Sequence, residues 1–155
     1  MLPGDTLDLT VSYMEQVYDP DLLESNARDA LDGVHFDTLV GTGLSGALAI
    51  PPLARALGVN FLIVRKPGDG THSWLDFEGH LGRGWVFVDD FFASGRTFRR
   101  VHDKVTQVSF SKAFETTFQG AFLYNAIRPF RSPDCEDIQR YLTTEYEVPN
   151  LTPYE

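Results

Sequence analysis

Apolar positions cluster into short runs separated by stretches with a helical period. Residues 60–64 and 85–88 are nearly unbroken apolar segments, too short and too rich in β-branched and aromatic residues for helices, and read as buried strands. Residues 36–40 and 119–125 make two further strand candidates, the latter centred on Ala121, Phe122, Leu123 and Tyr124. Asp19-Pro20 is a helix start, with Asp as the cap and Pro at the first helical position. That helix runs to about Leu31, with Leu23, Ala27, Ala30 and Leu31 on its apolar face, and Asp32-Gly33 ends it. A second helical segment ends at Leu57 before Gly58. Pro51-Pro52 inside it predicts a kink, or a helix that begins only at the prolines. A third carries Phe98, Val101 and Val105 on one face. Strand, helix and strand in this succession form a βαβ unit. The expected fold is a single α/β domain, a mostly parallel sheet flanked by helices, with its core at about 34–126.

Three stretches fit this scheme less well. Leu7, Leu9, Val11 and Tyr13 alternate with polar residues as in a short strand, whereas Leu9, Tyr13 and Val17 have helical phasing. Residues 67–83 are rich in Gly, Asp, His and Ser and lack a sustained period. A long loop of this kind inside a domain is usually functional, and Trp74, Leu75 and Phe77 suit a short strand or hairpin arm within it. Ser132-Pro133 caps a final short helix through about Leu142.

The chemistry concentrates around residues 85–97. The strand Trp85-Val86-Phe87-Val88 delivers Asp89 and Asp90 to the sheet edge, and the small and hydroxyl-bearing loop Ala93-Ser94-Gly95-Arg96-Thr97 leads into a helix. Free N–H groups and the dipole at a helix N-terminus favour an anion. The carboxylates accept hydrogen bonds from a diol, or hold a hydrated metal ion. A diol beside a phosphate is a sugar phosphate.

This stretch resembles the phosphoribosyl pyrophosphate (PRPP) signature of the type I phosphoribosyltransferases: four apolar residues, two acids, and a small loop containing Gly and Thr. The resemblance implies that Asp89 and Asp90 hold the ribose hydroxyls, directly or through Mg²⁺, and that Ala93, Ser94, Gly95, Arg96 and Thr97 bind the 5-phosphate. Gly41-Thr42-Gly43-Leu44-Ser45-Gly46 stands where the family's pyrophosphate loop belongs, making Thr42, Gly43, Leu44 and Ser45 its candidates. Arg65-Lys66 matches the basic pair that precedes the family's mobile catalytic loop, here residues 67–83, with His72 a conceivable phosphate contact. The resemblance also implies a homodimer, PRPP and a nitrogenous base as substrates, and a small base-binding hood from residues 1–33, 127–155 or both. Tyr13, Tyr18, Tyr124 and Phe130 are the aromatic candidates for stacking on the base. Ala93 stands where the 6-oxopurine enzymes have Asp, which places the motif nearer the adenine and orotate types, adenine being slightly favoured.

Two other readings compete. Gly41 to Gly46 also spells G-x-G-x-x-G after a strand, the dinucleotide fingerprint, and Arg65 suits the 2′-phosphate of NADP. That reading leaves residues 86–97 unexplained. A regulator could use the phosphoribosyltransferase fold to sense PRPP or nucleotides without turnover, but the intact acids and phosphate loop favour an enzyme. The 155 residues carry 43% hydrophobic and 23% charged residues, the balance of a soluble globular domain, and no apolar run is of transmembrane length. The formal net charge of −9 argues against a general nucleic-acid binder. The single Cys135 suggests a reducing compartment, in keeping with the cytoplasm.

Overall fold

The computed structural model describes residues 6–10, 12–68, 75–90 and 95–125. A 3-10 helix at Ser12–Tyr18 leads into α1 (Pro20–Ala30), β1 (Thr38–Thr42), α2 (Gly43–Leu57), β2 (Asn60–Val64) and β3 (Phe77–Gly79). β4 (Gly84–Asp89), α3 (Arg96–Ser111) and β5 (Thr117–Leu123) complete the described domain. The five strands form one sheet in the order β3-β2-β1-β4-β5. β2, β1, β4 and β5 are parallel, and β3 returns antiparallel along β2. The fold is the single α/β domain with a mostly parallel sheet expected from the hydrophobic runs.

The strand period of two divides the core between the sheet's faces. Leu39, Val86, Val88, Phe122 and Tyr124 pack with α1 and α2. Val40, Trp85, Phe87, Ala121 and Leu123 pack on the other face with Phe98, Val101 and Val105 of α3. Burial on both faces explains why β4 reads as a continuous apolar run. Trp85, Phe87, Phe98 and Phe118 form a connected aromatic cluster with ring centroids 4.9–5.1 Å apart at each contact. Trp85 and Phe87 therefore serve the core.

The local signals acted as their chemistry dictates at α1. Asp19 accepts a hydrogen bond from the Leu22 N–H at 3.1 Å, and Pro20 is the first helical residue. Elsewhere the structure corrects the pattern. The alternation at 7–13 makes no strand among the described residues. Leu7 and Leu9 are 82% and 80% exposed, and the chain turns into the 3-10 helix instead. β1 lies two residues later than expected, so Gly41 and Thr42 are strand rather than loop. α2 begins at Gly43 and continues through Pro51 and Pro52. The carbonyls of Ala47 and Leu48, which those prolines deprive of partners, belong to exposed residues, while Ala49, Ile50, Leu53 and Ala54 anchor the helix in the core. Residues 77–79 within the expected loop form β3, the arm suggested by Phe77. The expected helix at 132–142 lies outside the described residues.

The central crossing of β1 and β4 is tight. A Cβ on Gly41 would come within 2.7 Å of the Val88 carbonyl oxygen and 2.4 Å of Ile50 Cδ1. Only glycine lets these strands leave the sheet side by side. Gly41→Ala is expected to lower stability by roughly 1–3 kcal/mol, the usual cost of overpacking. Denaturant unfolding checks this, and an unchanged midpoint would show that the crossing can yield.

Candidate functional site

β1 and β4 are parallel neighbours, so their carboxyl ends and the helices that follow emerge on one edge. β4 ends at Asp89, and β1 passes directly into α2 at Gly43. Gly43 makes this turn at φ +67. The anticipated loop at 41–46 is thus the end of a strand and the first turn of a helix. The Thr42 hydroxyl is buried and donates to the Val64 carbonyl at 2.5 Å, so it neither caps α2 nor faces outward as an anion donor. α3 also starts without a side-chain cap, from Gly95 in the left-handed region.

The electrostatics of the two helix starts run against ordinary helix stability. Neither α2 nor α3 has an acidic residue in its first turn. Arg96 opens α3, and Lys66 lies against Gly43, where an added Cβ would meet Lys66 Cε at 2.6 Å and Nζ at 3.1 Å. Cations at the positive ends of two helix dipoles are unfavourable unless an anion joins them. Lys66, Arg65, Leu44 and Glu78 help line a concavity of about 320 Å³ beside the start of α2. Arg65 Nη2 bonds Glu78 at 3.2 Å, while Arg65 Nε is buried with no hydrogen-bond partner.

Asp89 and Asp90 sit beside this cationic edge. Asp89 is 7% exposed and accepts hydrogen bonds at Oδ1 from Ser45 Oγ at 2.9 Å and from the Asp90 N–H at 2.8 Å. Burial, reinforced by the adjacent Asp90 carboxylate, pushes the Asp89 carboxyl up to about 7. The end of β5 closes over the pair through Tyr124 N–H to the Asp89 carbonyl and Asn125 N–H to that of Asp90. Ser45, expected among the pyrophosphate residues, points its hydroxyl at Asp89. Tyr124, a candidate base platform, is buried, with its hydroxyl donating to the Ser45 carbonyl at 3.1 Å. It is therefore floor, not platform. Tyr18 is exposed, and the Tyr13 side chain, Phe130, His72, Ala93 and Ser94 lie outside the described residues.

The structure thus brings together Asp89, Asp90, Gly43, Ser45, Lys66, Gly95, Arg96 and Thr97 at one edge of the sheet. Leu44, at 64% exposure, lines the concavity without a polar role. The sequence puts Arg100 among the basic residues flanking the phosphate region without giving it a role of its own; in the structure it reaches this edge from α3 and hydrogen-bonds Thr42 and the Arg65 carbonyl. Its spacing of four from Arg96, which puts both on one helical face, was the available signal. For a divalent cation, the described residues contain no cluster of three or more His, Cys, Asp or Glu. The adjacent Asp89 and Asp90 carboxylates suit Mg²⁺, which binds through one or two carboxylates and retains waters and substrate oxygens.

No protein-family model matches the chain. It is 36% identical over 84 residues to the adenine phosphoribosyltransferase of Thermoanaerobacter sp. (strain X514), covering 44% of this chain and 49% of that enzyme. The same figures hold for the adenine phosphoribosyltransferase of Caldanaerobacter subterraneus subsp. tengcongensis (strain DSM 15242 / JCM 11007 / NBRC 100824 / MB4). The chain spans about half the length of these relatives. Among solved structures, the orotate phosphoribosyltransferase of Aeropyrum pernix aligns at a TM-score of 0.51 and 21% identity, over 70% of this chain and 59% of that one. The orotate phosphoribosyltransferase of Francisella tularensis aligns at 0.52 and 14%, over 84% and 64%. The fold is that of the type I phosphoribosyltransferases. Over those 84 residues the sequence is similar to adenine phosphoribosyltransferases, and the fold is shared with orotate phosphoribosyltransferases. The dinucleotide reading loses its ground, because β3 turns back antiparallel on β2 and closes the sheet at four parallel strands, and the glycines at 41–46 shape a strand crossing and a helix start.

The raised Asp89 carboxyl makes stability depend on pH in a stated direction. The unfolded chain releases this proton near 3.8 and the folded one near 7. Between these values the folded state holds the extra proton, so stability falls as pH rises through the window. The melting temperature is expected to drop from about pH 5 to about pH 8 on this account. Asp89→Asn keeps an oxygen for both hydrogen bonds and removes the buried charge, so it should flatten the drop. Thermal unfolding across this range checks it, and equal slopes in the two proteins would contradict it.

Proposed function

We propose that the chain is a phosphoribosyltransferase, moving the 5-phosphoribosyl group of PRPP to a ring nitrogen of a base with release of pyrophosphate. One observation carries this reading: two uncapped, cation-bearing helix starts flank an adjacent pair of carboxylates at the carboxyl ends of neighbouring parallel strands. That arrangement suits a ligand with an anion at each end and a diol between. The start of α3, with Gly95, Arg96 and Thr97, takes the 5-phosphate, together with Ala93 and Ser94 of the same loop. The start of α2, with Gly43, and the Arg65-Lys66 corner take the pyrophosphate. The unpartnered Arg65 Nε supports this side, since a buried N–H of this kind calls for an acceptor.

Asp89 and Asp90 accept the ribose hydroxyls. A carboxylate accepts both bonds where a protonated acid gives up one site, so ligand binding draws Asp89 toward its ionised form. Ser45 and the Asp90 N–H stabilise that form by donating to it. As the bond to pyrophosphate breaks, positive charge gathers on the sugar ring beside these carboxylates. Negative charge gathers on the leaving group beside Lys66, Arg65 and the α2 amides. Preorganised charge of this kind stabilises the transition state without a covalent nucleophile. Asp89 and Asp90 would hold Mg²⁺, directly or through water, and the ion when bound would supply charge neutralisation for the pyrophosphate. By the family resemblance, the stretch between β2 and β3, with His72 its conceivable phosphate contact, would exclude water as a closing loop.

The base side is the least constrained. Ala93 carries no group to exchange a proton, which points away from a 6-oxopurine mechanism and toward adenine, then orotate. The 3-10 helix at Ser12–Tyr18 joins the same edge, since Gln16 donates to the Tyr124 carbonyl, and so belongs to the proposed hood. We place the protein in the cytoplasm as a homodimer acting in nucleotide salvage. Among the described residues no helix is long and apolar enough to cross a membrane.

The test is magnesium-dependent release of pyrophosphate from PRPP with adenine, orotate, hypoxanthine and guanine as acceptors. Adenine or orotate is expected to drive release. Efficient turnover of hypoxanthine or guanine alone would refute the base assignment. PRPP binding with no turnover on any base would make the protein a PRPP sensor. Neutralising Arg65 and Lys66 should raise the PRPP requirement and leave the ranking of bases unchanged.

A further inference from the structure

Arg100 stands in the second turn of α3, yet its guanidinium leaves that helix for the ends of two strands. Nη1 donates to the Arg65 carbonyl at 3.2 Å, and Nη2 donates to Thr42 Oγ1 at 3.3 Å. The Thr42 hydroxyl in turn donates a hydrogen bond to the Val64 carbonyl at 2.5 Å. One planar fork therefore joins the last residue of β1, the residue after β2, and α3. These elements carry different parts of the candidate site. α3 presents the 5-phosphate end, and the Arg65-Lys66 corner presents the pyrophosphate end.

We propose that Arg100 is a positioning residue that fixes the span between the two anion sites, so that one ligand carrying both anions fits at once. The inference rests on the phosphoribosyltransferase reading. A rigid two-site ligand gains affinity only where the sites are held at its own span, whereas a single anion is indifferent to that span. Arginine suits the task because its donors are fixed in a plane and always charged, so two acceptors on different elements are held at one separation. Arg65 gains from the same contact: with its carbonyl held, its backbone direction at the exit of β2 is set, and Lys66 follows onto Gly43.

The experiment compares Arg100→Gln and Arg100→Lys with the native protein, measuring binding of PRPP, of inorganic pyrophosphate and of ribose 5-phosphate by calorimetry. Arg100→Gln is expected to lose about tenfold or more in PRPP affinity, the scale of a lost charge-assisted hydrogen bond. Pyrophosphate and ribose 5-phosphate should each stay within about threefold of native binding. Arg100→Lys keeps the charge and loses the fork, so it should show the same selective loss and remain folded if the glutamine variant does not. Equal losses for pyrophosphate alone would make Arg100 a direct ligand and overturn the proposal, as would full PRPP affinity in the lysine variant. Native protein that binds no PRPP would sink the functional reading and this one with it. Native binding with unaltered variants would sink the positioning role alone.

Discussion

The hydrogen bond from Ser45 to Asp89 is the contact on which the site depends. It links the first turn of α2 to the last residue of β4 at 2.9 Å. It forms only because β1 and β4 run parallel as neighbours and Gly41 lets them cross without a side chain between them. Asp89 is buried where an isolated carboxylate would be costly. The bonds from Ser45 and the Asp90 N–H lower that cost but do not remove it, and the carboxyl remains shifted up to about 7. The edge thus sets a buried acid beside two helix starts where cations stand at dipole ends that are already positive. A ligand with a diol between two anions suits both features, and this is the physical reason to read the edge as a phosphosugar site.

Much of this architecture was legible in the sequence because it rests on local patterns. The unbroken run from Trp85 to Val88 is what a strand buried on both faces requires, and Phe98, Val101 and Val105 fall on the buried side of α3 as their spacing demands. Asp19-Pro20 fixed the start of α1 by its own chemistry. What escaped depends on residues far apart in the chain. Gly41 and Thr42 look like loop residues until Val88 and Val64 stand beside them, and then they are strand. Ser45 and Asp89 are 44 residues apart, and no spacing rule announces their bond. Leu7 and Leu9 alternate as a strand would, yet no neighbouring strand takes them up among the described residues.

Arg100 shows the same boundary. Its distance of four from Arg96 put it on the same helical face as Arg96, but its partners lie on β1 and just beyond β2. The G-x-G-x-x-G string illustrates the converse. Its glycines meet real steric demands, a close strand crossing at Gly41 and a positive φ at Gly43, and those demands arise in this fold without a dinucleotide. A motif is read correctly only when the geometry that needs its residues is known.

The central claim is that Asp89 and Asp90 hold the sugar of a doubly anionic ligand. Calorimetric titration of PRPP with Mg²⁺ into the native protein and into the Asp89→Asn/Asp90→Asn double variant tests it most directly. The account predicts saturable native binding and a loss on the order of 1.5–3 kcal/mol or more in the double variant, the cost of removing charged hydrogen-bond partners, with the fold retained. Equal affinity in the two proteins would contradict it.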